Sequence, residues 1–342
     1  MEPPSPPTPK QRTMTDTDRP TVRGLVCAYR LDGQGGGQRL DWDDVHGADF
    51  TAGLTWIHLD FPDPYTHTYI REESGLDEAV ADGLLAEHTR PRLLHHEEGV
   101  LVILRGINFN PGAEPDDMVS VRIWASEHRV VSCRKLRLRA IQDVEELIKR
   151  GRGPCNAGEV LTMIADRLAE RMDDVIEGLE MQADELENQV DEGRLEEINA
   201  ALADLRRTFI GLRRYLVPQR DALLRLAAAK VPWLAQDDRA WLREVADQTT
   251  RYLEALEASR DRATVTQEEL LQRLSQKTEK RMYLLSVVTA IFLPLGLITG
   301  LLGVNLGGIP GAEAPWAFLL LCAATAAVVA LQLWYLRSKH WF

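Results

Sequence analysis

Apolar and polar positions follow three different rhythms along the chain. In residues 21–157 the apolar residues come in short runs: TVRGLVCAYRL, LTWIHLDF, GVLVILRGINF and DMVSVRIWAS. They are rich in β-branched and aromatic side chains and bounded by turn residues, which predicts strands. DPYTHTYIREES and LDEAVADGLL lie between them and read as short helices. Together these runs predict a small α/β domain.

From Gly158 the period lengthens. Leu195, Ile198, Leu202, Leu205, Phe209, Leu212 and Leu216 alternate steps of three and four, a heptad seam. A looser stripe precedes it, through Leu161, Ile164, Leu168, Val175 and Leu179 on a helix ending about Val190. DEGR (191–194) supplies a turn, so 158–231 reads as a helical hairpin. A third helix starts near Pro232, passes Leu242, Val245, Tyr252, Leu256, Leu270 and Leu274, and meets no Gly or Pro before Pro294. Its segment 232–281 is a stalk. Continued into the apolar run that follows, about 65 residues at 1.5 Å each give a rod of roughly 100 Å.

The third rhythm is uninterrupted apolarity. Residues 282–302 and 314–336 carry no charge. Each is long enough to cross about 30 Å of hydrocarbon, whereas buried helices of soluble folds rarely lack charge for so long. Tyr283 and Trp316, then Trp334, Tyr335 and Trp341, flank the runs as interfacial aromatics do. Lys277, Lys280 and Arg281 precede the first run, Arg337 and Lys339 follow the second, and the loop 303–313 holds only Glu313. The positive-inside rule then puts both termini in the cytoplasm and GVNLGGIPG outside. The expected class is α+β: an N-terminal α/β cytosolic domain, a long helical stalk and two C-terminal transmembrane helices, with a basic cytosolic tail at 337–342.

Charge sharpens the division. Of 342 residues 40 are basic and 52 acidic, and residues 1–281 alone hold 38 and 51. A body this acidic repels phosphate and argues against a nucleic-acid partner. Four scattered cysteines, Cys27, Cys133, Cys155 and Cys322, make neither a disulfide framework nor a zinc site and fit a reduced compartment. Five prolines in the first nine residues, without the apolar core of a signal peptide, predict a disordered tail over 1–20. No nucleophile elbow, phosphate loop or HExxH motif points to an enzyme.

Two spans cannot enclose water, so a conduit would need several copies about a symmetry axis. Stepping back by three or four from the loop, Gly303, Gly300, Gly296, Leu293, Thr289, Leu285 and Met282 form one stripe of the first span. It is small, hydroxyl-bearing or thioether at several places, so it suits a lining; Gly296 and Gly300 equally suit close helix packing. Pro294 frees a carbonyl that a neighbour or water must satisfy. Neither span contains Asp, Glu or His.

Gly303-Val304-Asn305, placed between two C-terminal spans beneath an α/β domain and a long helix, resembles the CorA family of divalent-cation transporters. GVN followed by GGIPG, with TRPR (89–92) and RGINFNPGAEPDDMVS (105–120), resembles its ZntB zinc-transporting branch. Magnesium transporters of the family carry Met where this chain has Val304. A second triplet, Gly106-Ile107-Asn108, is a chance match or a strand end.

The resemblance implies a homopentameric funnel in a bacterial inner membrane, with a ring of Asn305 amides meeting Zn²⁺ through its hydration water. It allows proton-coupled import, for which no ionisable residue of the spans supplies a route. Mg²⁺, Co²⁺ and Ni²⁺ are the alternative cargo, because these aqua ions are similar in size. The cation is cargo, and no tightly bound cofactor is expected. A membrane-anchored coiled-coil scaffold or sensor is the reading from another class.

The stretch Asp173–Glu197 holds eleven carboxylates and one arginine. A solvated face explains it; a cation-concentrating surface would use Asp173, Asp174, Glu177 and Glu180. His88, His95 and His96 lack a convincing ligand spacing and read as surface or structural histidines.

Overall fold

The computed structural model describes residues 23–87, 89–97, 99–190, 195–302 and 315–338. They divide into two units, with the boundary between Gln267 and Glu268.

The first unit is built on seven strands: β1 (Leu25–Leu31), β2 (Gly37–Arg39), β3 (Thr55–Asp60), β4 (Arg92–His96), β5 (Gly99–Gly106), β6 (Val119–Ala125) and β7 (Arg129–Arg134). They lie in the order β2-β1-β3-β7-β6-β5-β4. Only β3 and β7 run parallel, with Thr55 opposite Arg129 and Asp60 opposite Arg134. The four expected strands are present, and β2, β4 and β7 join them. GINF leaves the ladder at Gly106, so the second Gly-x-Asn triplet is a strand end: buried Asn108 donates to Asp117 Oδ2 at 3.0 Å and accepts from Asn110 N.

Helices cover both faces of this sheet, and the alternation of strand side chains decides which. On β5, Leu101 points to α3 (Glu78–Leu84), where a Cβ on Gly83 would lie 2.1 Å from it. Gly106, of opposite parity, lies under Leu168 of α5 (Ala157–Gln189). Beside α3 on the first face are α1 (Trp42–His46), α2 (Pro64–Thr68) and one π-helical turn, Tyr69–Glu73. Ile57, Leu59, Tyr69, Ile70, Leu84 and Val131 pack together there.

After β7 the chain is helical: α4 (Arg139–Lys149), α5, α6 (Leu195–Ala227) and α7 (Gln236–Leu302). Every residue of the seam Leu195–Leu216 is buried on α6. On α5, Leu161, Ile164, Leu168 and Leu179 are buried, while Met172 and Ile176 take the inner positions and Val175 is half-buried. The turn expected at 191–194 lies outside the described residues. So does the tail over 1–20.

The long helix begins at Gln236, four residues beyond Pro232. Arg239 explains the delay. Its guanidinium donates to Ala229 O, to Val231 O at 3.0 Å and to Leu234 O at 3.0 Å, closing the end of α6 and the turn into α7. Farther along, Gln267 Nε2 donates to Asn199 Oδ1 at 2.8 Å and its Oε1 accepts from Arg206, tying α7 to α6.

The second unit comprises the remainder of α7 and α8 (Ala317–Ser338). The helix α7 passes through Pro294 without a break, as the absence of earlier helix breakers predicts. It is the one described helix long and apolar enough to cross a membrane, and α8 adds a shorter apolar stretch, Phe318–Gln332.

Candidate ion pathway

Covered positions on the apolar part of α7 fall on one stripe: Tyr283, Val287, Ile291, Pro294, Leu295 and Ile298 are buried or half-buried. On α8, Leu321, Thr325, Val328, Val329 and Gln332 are half-buried in the same rhythm. These two stripes are the seam between the helices. It is anchored where Pro294, lacking an N–H, cannot bond the carbonyl four residues back. That carbonyl is Ala290 O, and Gln332 Nε2 of α8 donates to it at 3.3 Å. The neighbour that Pro294 required is therefore α8.

Residues two apart on a helix lie about 200° apart around its axis. The expected lining stripe thus falls opposite the seam. Met282, Leu285, Thr289, Leu293, Gly296 and Gly300 are all exposed, Leu293 at 67% against 6% for Val287. Among the described residues, a Cβ on Gly296 or Gly300 would meet no atom within 4 Å, so neither glycine packs against them. Thr289 Oγ1 donates its proton to Leu285 O at 2.8 Å. Its oxygen lone pairs are left facing outward, as acceptors for water or an ion. Gly303, Val304 and Asn305 lie outside the described residues.

The acidic candidates on α5 are not brought together. Asp173 and Asp174 line a cleft of about 520 Å³ with Asp143 and Glu170, but Arg150, Arg167 and Arg171 line it too. Arg171 grips Asp143 with two bonds, at 2.6 and 2.5 Å, and the Asp143 carboxylate raises the guanidinium's affinity for its proton. Burial, with Asp173 nearby, pushes Tyr252 up to about 12. Glu177 and Glu180 sit outside the cleft, one exposed and one half-buried. Among the described residues no three of His, Cys, Asp and Glu are placed to hold a metal. His96 pairs with Asp77 at 3.2 Å and His95 is exposed, while His88 lies outside the described residues.

Sequence reasoning passed over one constellation, at the α1 end of the domain. His46, Tyr65 and Glu73 come from three elements and meet, with Trp42 and Tyr69 stacked behind. They are 19 and 8 residues apart in sequence, and no spacing rule links them.

Residues 51–338 match the family described as CorA-like Mg2+ transporter protein. The chain belongs to the CorA family. Among CorA relatives, it is 42% identical over 322 residues to the divalent cation transporter CmaX of Pseudomonas aeruginosa, covering 93% of this chain and 97% of that protein. It is 35% identical over 318 residues to the zinc transport protein ZntB of Pectobacterium atrosepticum, covering 93% and 96%. The solved structure of full-length CmaX superposes with a TM-score of 0.81 at 40% identity, covering 95% of this chain and all of that one. The CorA family and these relatives are transporters rather than enzymes. Both branch names occur among the relatives, and identity is higher to CmaX than to ZntB.

Proposed function

We propose that the chain transports divalent cations, zinc first, through a pore on the axis of a homo-oligomer in a bacterial inner membrane. The observation that carries this reading is the uncovered face of α7. The face set opposite the α8 seam is the one bearing Thr289, Gly296 and Gly300. One chain leaves it open, and copies arranged about an axis, five by family resemblance, would close it around water. The second span is 314–336, and basic residues at both cytosolic ends set the orientation.

Within 282–302 the lining has no Asp, Glu or His. A dehydrated Zn²⁺ would find no tetrahedral N/S site there, and a dehydrated Mg²⁺ no carboxylate. The ion therefore passes with its inner water shell, hydrogen-bonded to neutral oxygens: Asn305 at the outer mouth, then the outward lone pairs of Thr289. Without a charged ring, binding stays weak enough for release. Entry of a divalent ion gains about 4.6 kcal/mol per 100 mV of inside-negative potential, twice the single-charge figure. That drives uptake.

Zinc as cargo is supported by the 35% identity to ZntB and by Val304 in the loop triplet. Magnesium or cobalt is the second reading, supported by the match to a Mg2+ transporter family and the higher identity to a protein named only for divalent cations. Family membership favours transport over a scaffold. The test is flux of Zn²⁺, Mg²⁺ and Co²⁺ into proteoliposomes under an inside-negative potential, for the native chain and Asn305→Ala. Native flux with Zn²⁺ leading, and at least a tenfold loss in Asn305→Ala, is expected. Equal flux in both chains removes Asn305 from the mechanism, and absence of flux for all three ions removes the function.

A further inference from the structure

Three side chains of the cytosolic domain converge without any role in the pathway above. His46 is the last residue of α1, Tyr65 lies on α2 and Glu73 ends the π-helical turn. His46 Nδ1 lies 2.6 Å from Trp42 O. A carbonyl only accepts, so Nδ1 carries the ring proton. In the neutral imidazole this leaves the lone pair on Nε2, which faces Glu73 Oε2 at 2.8 Å. Two acceptors at that separation share a positive centre, either a second ring proton, which makes the contact a His46–Glu73 ion pair, or a metal ion in its place. Tyr65 Oη closes the triangle, 2.9 Å from Glu73 Oε2 and 3.3 Å from His46 Nε2.

We propose that His46 Nε2 and Glu73 form a binding site for a borderline divalent transition ion, Zn²⁺ or Co²⁺, oriented by Trp42 O and Tyr65 and completed by water. A ligating histidine characteristically donates its other ring N–H to a carbonyl or carboxylate, which fixes the tautomer and the ring plane. Trp42 O does so here. Nitrogen and oxygen ligands at about 2.0–2.1 Å in a tetrahedron stand about 3.3 Å apart, so a small outward movement of Glu73 admits the ion. The His46 and Glu73 side chains remain 40% and 32% exposed, leaving the other positions open to water. Tyr65 Oη donates to Glu73 Oε2 and orients the carboxylate.

An imidazole ligand excludes Mg²⁺, which takes oxygen donors in near-ideal octahedra. The site therefore discriminates where the proposed pore, meeting intact water shells, has little means to. It stands on geometry independent of the pore, and its test reads binding without transport.

Trp42 provides the probe, its ring centroid lying 5.4 Å from that of His46. Co²⁺ quenches indole emission at that range and Zn²⁺ does not. The chain has eight tryptophans, so the Trp42 contribution is the difference between the native oligomer and Trp42→Phe. In detergent, without a gradient, this component should fall saturably with Co²⁺, ignore equal Mg²⁺, and recover on addition of Zn²⁺. The quench should vanish in His46→Gln and in Glu73→Gln, checked for native elution, and need about tenfold more Co²⁺ in Tyr65→Phe. Asn305→Ala should quench normally, so the site and the pore fail separately. No Co²⁺ effect on Trp42, no recovery with Zn²⁺, or an unchanged quench in either ligand variant would overturn the proposal.

Discussion

At the scale of single residues, Asp238 is the strongest point of tension. It is 6% exposed, and its Oδ2 accepts from Ala235 N at 3.1 Å. A Cβ on Gly158, at the start of α5, would lie 2.1 Å from that same oxygen, so a side chain there would displace the carboxylate. Burial, partly offset by the Ala235 N–H and reinforced by the charges of Glu159 and Asp237, holds the carboxyl above its ordinary value of 3.8. Such a group binds its proton more tightly folded than unfolded. Stability therefore falls as pH rises from 3.8 through the folded value, and the cost is complete above it. Asp238→Asn keeps the acceptor and drops the charge. Its apparent unfolding temperature should exceed that of the native chain at pH 7, with the difference closing towards pH 4. A difference constant across that range would show that charge is not the cause.

Elements were legible where their rhythm was long or their composition extreme. The α6 seam is clear because seven residues alternate steps of three and four, β5 because its apolar run is continuous, and β6 because β-branched and aromatic residues dominate it. Strand β2 is three residues of GQR, and β4 reads RLLHH; neither carries a strand's alternation, and the neighbouring strands recruit them. Helix α4 did leave a signal, Ile141, Val144 and Ile148 at steps of three and four. The lining stripe was visible as a pattern, but the side on which α8 sits was not. That depends on Gln332 meeting the carbonyl freed by Pro294, across 42 residues. Gln332→Leu keeps the apolar volume and removes the donor. It should cost about 0.5–2 kcal/mol, the range for hydrogen bonds between helices in lipid, read as a lowered apparent unfolding temperature in lipid discs. An unchanged value would mean that water already serves Ala290 O.

For the molecule as an assembly, the proposal makes two faces of one helix differ in access. In a Cys155→Ser, Cys322→Ser background, which leaves only the buried Cys27 and Cys133, cysteines introduced at Thr289 and Gly296 should react with a water-soluble thiol reagent and lose Zn²⁺ flux. Cysteines at Val287 and Ile291, on the seam, should resist labelling and keep it. Equal labelling on both faces would mean that the uncovered face meets lipid rather than water. The His46–Glu73 site escaped sequence reasoning for a related reason. Its members are ordinary surface residues until a π-helical turn, which no local composition announces, carries Glu73 to His46.

The bond between Gln332 and Ala290 also bears on how the chain is made. As synthesis proceeds, Ala290 joins the chain 42 residues ahead of Gln332. Through that interval its carbonyl lacks the Gln332 donor, and the first apolar helix is a half-finished element. The nascent chain gains by releasing the two helices to the bilayer together, as a hairpin, and ribosome-stalled products ending before residue 332 should linger at the insertion machinery.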